Sequence, residues 1–163
     1  MIRRALVAAV LMASVVNPSS TAAAQPPAFD LQAHRGGRGE TTEESLRAFA
    51  KSLELGVSTL ELDIVLSRDA QPLVWHDPVI EPAKCVDTGP AFVGDPDYPY
   101  VGKRVADLTL AQIRTLDCGQ LLPEFPDAEV VQHNVIATLP EVFALAGHTG
   151  VRYNIETKVD AAN

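Results

Sequence analysis

The sequence has only two cysteines, few basic residues and no apolar run long enough to cross a bilayer. Its 13 Lys and Arg face 21 Asp and Glu, which gives a formal net charge of −8 at neutral pH. Proteins that bind nucleic acid or anionic membranes do so mainly through clustered Lys and Arg. The composition therefore indicates no nucleic-acid partner and no general adhesion to membranes. A bound metal ion would still let a local pocket accept an anionic substrate.

The longest apolar stretch lies at the N-terminus. Two arginines precede a run of about a dozen apolar residues, Ala5 to Val16, and small residues then lead to Ala22-Ala23-Ala24. A bilayer-spanning helix needs about 20 apolar residues. We therefore interpret residues 1–24 as a secretory signal peptide rather than as a membrane anchor. The mature protein would begin near Gln25 and would be secreted or periplasmic.

The two cysteines are Cys85 and Cys118. In an exported protein, an isolated pair is most simply a disulfide. The alternative is a two-cysteine metal site, which is uncommon, and no histidine lies nearby at ligand spacing. We expect a disulfide that closes a loop of about 30 residues and stabilises the fold by about 2–4 kcal/mol.

Alternating and periodic apolar residues divide the chain into strands and helices. The pattern predicts strands over residues 29–34, 58–66, 73–76 and 151–158. It predicts a first helix from about Glu43 to Leu55, ended by Gly56. Three residue pairs with capping-box spacing predict helix starts: Thr41 with Glu44, Thr109 with Gln112, and Thr138 with Glu141.

Residues 67–72 connect the second and third predicted strands. This connection is too short for the helical crossover that joins parallel strands, so it predicts a hairpin or a local distortion of a barrel. Residues 77–108 then hold most of the mid-chain prolines and glycines. We interpret them as a long irregular insertion that contributes no core element. Insertions of this length are often functional.

Alternation of strands and helices, with polar residues at the strand ends, predicts an α/β fold of the TIM-type (β/α)8 barrel class. A complete barrel needs about 250 residues, and at least about 200. We therefore expect residues 25–163 to form the N-terminal part of such a domain, truncated to roughly its first four strands. A half-barrel would leave a sheet edge exposed.

Carboxylates gather at the ends of the predicted strands, where a parallel α/β scaffold presents its reactive groups. Glu61 and Asp63 are two residues apart on one strand, so their side chains share a face. Adjacent carboxylates repel each other and are costly to bury, and a divalent cation removes both penalties. Glu156 offers a third oxygen ligand, and such ligands suit Ca²⁺ or Mg²⁺. The alternative is an edge-strand pair that faces water.

Two histidines and two cations complete this set. His34 and His76 each end an apolar strand, one before and one after the carboxylate pair, and fit a proton donor and a proton acceptor. Arg35 suits a bidentate grip on phosphate oxygens. Lys158 shares a strand face with Glu156 and can add a positive charge. The alternative for both cations is ion pairing with neighbouring carboxylates.

The chain resembles the glycerophosphodiester phosphodiesterase family over residues 33–78, and again at NIETK, residues 154–158. The family typically reads H-R-G, a P-E-N-T-like segment that opens a helix, E-L-D, a V-x-H-D strand end, and later E-x-K. Residues 100–119 also look like the insertion of secreted bacterial members. Several motifs in the same order and at the same spacing make the resemblance specific.

The resemblance implies a TIM-type barrel that hydrolyses small glycerophosphodiesters to glycerol 3-phosphate and an alcohol. By position, it implies His34 and His76 as the acid–base pair and Arg35 and Lys158 as phosphate-binding residues. The glycerol 2-hydroxyl of the substrate would attack phosphorus to form a cyclic phosphate. Water would then open this ring with the histidine roles reversed.

The resemblance also implies one divalent cation, Ca²⁺ or Mg²⁺. Its ligands would be Glu61, Asp63 and Glu156. Supporting positions would be Glu43 and Asp77.

The sequence departs from the family at residues 42–45, where Glu44 stands in place of a neutral Asn. If Glu44 points into the site, its charge weakens phosphate binding or recruits more cation. We favour the alternative, in which Glu44 is the third residue of a capping box and stabilises the start of the helix.

Two alternatives to this function remain. A phospholipase D-like lyase of the same fold would act on intact lipids, and an exposed apolar or aromatic rim near the site would favour it. An inactive, partly folded fragment would bind metal at most.

Overall fold

The computed structural model describes residues 29–158, and the predicted signal peptide lies outside this range. The regular elements in chain order are β1 (Gln32–Ala33), α1 (Leu46–Glu54), β2 (Thr59–Leu66), β3 (Pro72–Val74), β4 (Val86–Asp87), α2 (Leu110–Ile113), β5 (Leu116–Asp117), α3 (Leu139–Ala146) and β6 (Arg152–Thr157). No helix among these is both long and apolar enough to cross a bilayer.

Strand β2 is the centre of a four-stranded sheet. It pairs in parallel with β1 and with β6, and antiparallel with β3. The predicted hairpin between the second and third strands is therefore confirmed. Since β3 runs against the others, three of the four strands are parallel. The result is an α/β fragment with a parallel sheet, as the sequence predicts.

One apolar core lies between this sheet and the helices α1 and α3. Leu60 and Leu62 point from β2 into it and are fully buried. They meet Phe49 of α1 and Val142 of α3, which are also fully buried. Because side chains alternate along a strand, this packing turns Glu61 and Asp63 to the opposite face.

The insertion, residues 77–108, has little regular structure beyond β4 and a short turn at Val105–Asp107. Our expectation that it contributes no core element is wrong. Ile80, Tyr100 and Val105 are almost completely buried, and they pack with Leu73 of β3 in a second apolar core. Apolar residues scattered through a proline-rich segment have no helical or strand period, so periodicity could not detect them.

The first helix begins later than predicted, and Thr41 with Glu44 is not a capping box. Ser45 is the N-cap of α1, and its hydroxyl accepts a hydrogen bond from the Ala48 N–H at 3.0 Å. Glu44 lies before the helix with φ of 55°, outside the helical region. At the other end Gly56 adopts φ of 78°, which confirms it as the stop signal.

The other two capping boxes are confirmed. At the start of α2, the Gln112 side chain accepts a hydrogen bond from the Thr109 N–H at 2.9 Å. At the start of α3, Glu141 accepts one from the Thr138 N–H at 2.7 Å.

The predicted disulfide is present between Cys85 and Cys118. Both cysteines are buried in the core of the insertion, next to the paired strands β4 and β5. The bond therefore ties the start of the insertion to the segment that follows α2.

Replacing both cysteines, Cys85→Ser with Cys118→Ser, should lower the free energy of unfolding by about 2–4 kcal/mol. The reason is that the crosslink restricts the unfolded chain. Urea titration of the oxidised wild type and the variant measures the loss, and the reduced wild type should match the variant. Equal midpoints for all three would contradict a stabilising disulfide.

Candidate active site and metal centre

The carboxyl ends of the three parallel strands meet at one edge of the sheet. His34 and Arg35 follow β1, while Glu61 and Asp63 lie on β2. Glu156 lies near the end of β6, where it pairs in register with Asp63. This edge is where parallel α/β folds carry their chemistry.

Three carboxylates meet there, as the sequence predicts. One oxygen from each of Glu61, Asp63 and Glu156 lies within 4.8 Å of the others. Glu156 is exposed and Glu61 is half-buried, whereas Asp63 is only 1% exposed. The alternative of a pair on a water-facing edge strand is wrong, because β2 is paired on both edges and buries Asp63.

The donor set fits a hard divalent cation. Both carboxylate oxygens of Asp63 are buried and receive no hydrogen bond from the described residues. Their charge is balanced by two ion pairs, with Lys158 Nζ at 3.2 Å and Arg35 Nε at 3.5 Å. A buried carboxylate beside two more carboxylates supplies the hard oxygen ligands that Ca²⁺ or Mg²⁺ prefers.

Arg35 reaches this cluster because of a tight turn at His34–Gly36. Arg35 has φ of 49° and Gly36 has φ of 72°. A Cβ on Gly36 would lie 2.9 Å from the Phe49 ring, so this position requires glycine. The turn lets the Arg35 N–H donate a 2.6 Å hydrogen bond to Glu61. His34, at the start of the turn, is exposed to solvent.

Glu43 is the buried partner of three cations. Its carboxylate lies 3.3 Å from Arg35, 2.9 Å from Arg38 and 2.6 Å from Lys84. The predicted supporting residue thus joins the phosphate-binding candidate Arg35 to the insertion that carries Lys84.

The second histidine is held by its neighbour. His76 follows β3, and its Nδ1 lies 2.9 Å from the Asp77 carboxylate. Asp77 also binds Lys84 through its other oxygen. Burial tends to raise the pKa of Asp77, but the bonds to Lys84 and His76 outweigh this and lower it. Because an ionised carboxylate only accepts hydrogen bonds, Asp77 favours the tautomer in which Nδ1–H of His76 donates to it, and this leaves Nε2 of His76 for chemistry.

Lys158 lies between two carboxylates. Burial alone would lower its pKa, but the hydrogen bond to Glu156 and the ion pair with Asp63 raise it, so this side chain is fully charged at neutral pH. The bond from Lys158 also lowers the pKa of Glu156, and the nearby positive charges of His76 and Arg35 act in the same direction.

Glu44 takes neither of the positions we expected. Its side chain is 3% exposed and one oxygen accepts a 3.0 Å hydrogen bond from the Asp63 N–H. The other oxygen is buried without a hydrogen-bond partner among the described residues. Burial raises the pKa of Glu44 well above its usual value, and the charges of Asp63 and Glu43 add to the shift. Glu44 therefore supports the β2 backbone from inside the fold, and its burial favours the neutral form of the carboxyl.

Sequence reasoning missed two cations of the site, Arg38 and Lys84. Arg38 packs over the Phe125 ring at 4.8 Å while it pairs with Glu43. Lys84 packs over the Trp75 ring at 5.3 Å. Arg38 lies in the glycine-rich segment after the first strand and Lys84 lies in the insertion, so neither occupies one of the strand-end positions that the sequence singled out. The one signal for Lys84 was its position next to Cys85, whose disulfide fixes the local backbone.

The family model described as the Glycerophosphoryl diester phosphodiesterase family matches residues 34–163. The chain belongs to this family. A glycerophosphodiester phosphodiesterase from Caldanaerobacter subterraneus is 32% identical over 126 residues, which cover 77% of the chain and 44% of that protein. A human lysophospholipase D is 33% identical over 131 residues, covering 78% of the chain and 35% of that protein.

Solved structures of this glycerophosphoryl diester phosphodiesterase family share the fold. One from Silicibacter pomeroyi is 31% identical with a TM-score of 0.71, over 82% of the chain and 47% of that structure. A phosphodiesterase from Oleispira antarctica, in complex with the product sn-glycerol-3-phosphate, is 25% identical with a TM-score of 0.61, over 80% of the chain and 44% of that structure. The chain thus spans less than half the length of these relatives.

Glu44→Gln should stabilise the metal-free protein increasingly as pH rises above the ordinary glutamate pKa of 4.5. A carboxyl whose pKa is raised by folding favours the fold below its unfolded-state pKa, and that contribution is lost as pH rises through the folded-state pKa. Glutamine does not titrate, so the variant escapes this loss. Urea titrations in EDTA from about pH 4 to about pH 8 measure the difference. Glu40→Gln, at an exposed glutamate, is the control, and a pH-independent difference for Glu44→Gln would refute the assignment.

Proposed function

We propose that the protein hydrolyses glycerophosphodiesters to glycerol 3-phosphate and an alcohol, with the help of one divalent cation. The observation that carries the proposal is the cluster of Glu61, Asp63 and Glu156, paired with Arg35 and Lys158 at one edge of the sheet. Family membership and the product complex of the Oleispira antarctica relative support this substrate class.

Arg35 and Lys158 would bind the phosphate. Both already lie against Asp63, and each is positively charged at neutral pH. Arg35 has five N–H donors, and its pairs with Glu43 and Asp63 leave some of them for phosphate oxygens. Lys158 would add a point charge on the β6 side of the same anion.

His34 and His76 would move the protons. In the first step one histidine accepts the proton of the glycerol 2-hydroxyl as its oxygen bonds to phosphorus, and the other protonates the alcohol oxygen that leaves. In the second step the roles reverse, and water opens the cyclic phosphate to give glycerol 3-phosphate. The contact between Asp77 and Nδ1 of His76 supports this, because it leaves Nε2 of His76 available.

Glu61, Asp63 and Glu156 would hold the cation, Ca²⁺ or Mg²⁺. When bound, it would supply positive charge to the phosphoryl oxygens, where negative charge develops during attack. Two backbone contacts support this assignment of the ligands. The Arg35 N–H donates a hydrogen bond that orients Glu61, and the pairing of β2 with β6 sets Asp63 beside Glu156.

We also propose that the protein is exported and acts outside the cytoplasm. The signal-peptide pattern over residues 1–24 supports export, as does the Cys85–Cys118 disulfide, since such bonds persist in oxidising compartments.

A second candidate function is hydrolysis of lysophospholipids. The human lysophospholipase D relative favours it. So does a cleft beside Glu43 and Lys84 that is lined by Leu121 and Leu122, because an apolar wall of this kind suits an acyl chain. Parallel assays with glycerophosphocholine and lysophosphatidylcholine separate the two functions: the first proposal requires the water-soluble diester to be turned over faster.

His34→Ala and His76→Ala should each lower kcat for a glycerophosphodiester by at least about 10²–10⁴-fold, since each removes a proton-transfer group. The release of glycerol 3-phosphate with Ca²⁺ or Mg²⁺ measures the rate. His133→Ala is the matched control, because His133 is 88% exposed and pairs only weakly with Asp117 at 3.4 Å. Full activity in either active-site variant would overturn the acid–base assignment. A wild-type protein that binds metal but turns over no diester would favour the metal-binding fragment instead.

Asp63→Asn should weaken Ca²⁺ binding by more than about 100-fold, because it removes the charge of the buried ligand. Replacing even a residue that only supports a metal ligand lowers metal affinity by about 10–100-fold. Titration calorimetry with Ca²⁺ and with Mg²⁺ measures this without any substrate. Asp127→Asn, at an exposed position, is the control. Unchanged affinity in a folded Asp63→Asn protein would rule out this centre.

A further inference from the structure

Lys84 joins two parts of the site that otherwise make separate contacts. Its Nζ lies 2.6 Å from Glu43 Oε1, and it also binds Asp77 Oδ2. Glu43 in turn pairs with Arg35, and Asp77 with Nδ1 of His76. A single ammonium group therefore lies between the phosphate-binding candidate and one of the candidate acid–base histidines.

The position of Lys84 is fixed by its surroundings. The next residue, Cys85, is 1% exposed and is bonded to Cys118. The Lys84 carbonyl accepts a 3.2 Å hydrogen bond from the Gln120 N–H, and its Nζ lies over the Trp75 ring at 5.3 Å. The side chain is only 14% exposed, so its direction is set by packing rather than by solvent.

We propose that Lys84 is a positioning residue, which is anchored by Glu43 and orients His76 through Asp77. This inference rests on the proposed function, because it assigns a role within the same site. It also goes beyond that function, since Lys84 belongs to the insertion and to none of the strand-end motifs.

The physical reason lies in the two carboxylates. Glu43 and Asp77 are both partly or fully buried, and each bonds the same nitrogen, so without Lys84 their negative charges would repel each other at close range. The ammonium group offsets this repulsion, and its contact with Asp77 holds that carboxylate beside His76. Asp77 then accepts a hydrogen bond from Nδ1–H of His76, and this bond fixes the orientation of the imidazole ring.

Lys84 would not bind the phosphate itself. Two of its three N–H donors are used by Glu43 and Asp77, and the aromatic ring of Trp75 covers another side. Loss of Lys84 should therefore affect the rate of the chemical step more than the affinity for substrate.

The test compares Lys84→Met, Lys84→Arg and the control Lys51→Met, a lysine that pairs with Glu40 and Glu129 on another part of the surface. Lys84→Met should lower kcat about 10–100-fold with little change in KM, as is typical when a partner of an active-site residue is lost. Lys84→Arg should recover much of the rate, because a guanidinium can also bridge two carboxylates. Circular dichroism and thermal unfolding show whether each variant is folded.

Each outcome decides the role of Lys84. A kcat for Lys84→Met equal to that of Lys51→Met would overturn the proposal, and so would a change confined to KM, which would indicate direct phosphate binding. If Lys84→Met does not fold, the test rests on Lys84→Arg. A folded Lys84→Arg protein that keeps both carboxylate contacts but has activity far below wild type would contradict positioning by charge.

A second readout is independent of turnover. Nitrogen-15 NMR of the imidazole groups should show the Nδ1–H form of His76 in the wild type and a smaller share of it in Lys84→Met, with the signal assigned through His76→Ala. The same share in both proteins would overturn the proposal. If the wild type hydrolyses no diester, the proposed function fails, and this spectrum still decides whether Lys84 orients His76.

Discussion

The buried charge of Asp63 is the constraint on which the rest of the site depends. A carboxylate that is 1% exposed and receives no hydrogen bond from the described residues must be balanced by nearby positive charge. Arg35 and Lys158 supply it, and they come from the two strands on either side of β2. The parallel sheet therefore does more than support the site, because the same strand pairing that builds the core brings the compensating charges to Asp63. A divalent cation at Asp63 would satisfy the same requirement with greater charge.

Much of the fold and of the site could be predicted from the sequence, for a physical reason. Strand alternation places Glu61 and Asp63 on one face, and parallel pairing brings Glu156 to the same edge, so local pattern and tertiary position agree. Strand lengths were less predictable. The strand expected over residues 29–34 contains only Gln32–Ala33, because the chain turns at His34, and Asp30 contacts Ser58 and Thr59 through its side chain.

Other features required the folded structure. The spacing predicts a capping box of Thr41 and Glu44, but Ser45 caps the first helix and Glu44 instead accepts a hydrogen bond from the Asp63 N–H in the interior. The position of Lys84 depends on the disulfide from Cys85 to distant Cys118 and on the Trp75 ring, and neither contact leaves a periodic pattern. Where a residue has several possible partners, burial and geometry determine which contact it makes. Spacing along the chain does not encode either of them.

The β2–β3 hairpin has a consequence for the order in which the site assembles. A turn of only a few residues returns the chain so that the Trp75 N–H bonds the Asp63 carbonyl, and closing so short a loop costs little entropy. β6 must instead find β2 across a large loop, since Arg152 and Thr59, which bond each other, are 93 residues apart in sequence. The hairpin that precedes His76 therefore closes a far shorter loop than the strand pairing that brings Glu156 and Lys158 to the site. Because β6 is synthesised after the hairpin, a nascent chain holds the segment that carries His76 before it holds Glu156, the third carboxylate of the cluster.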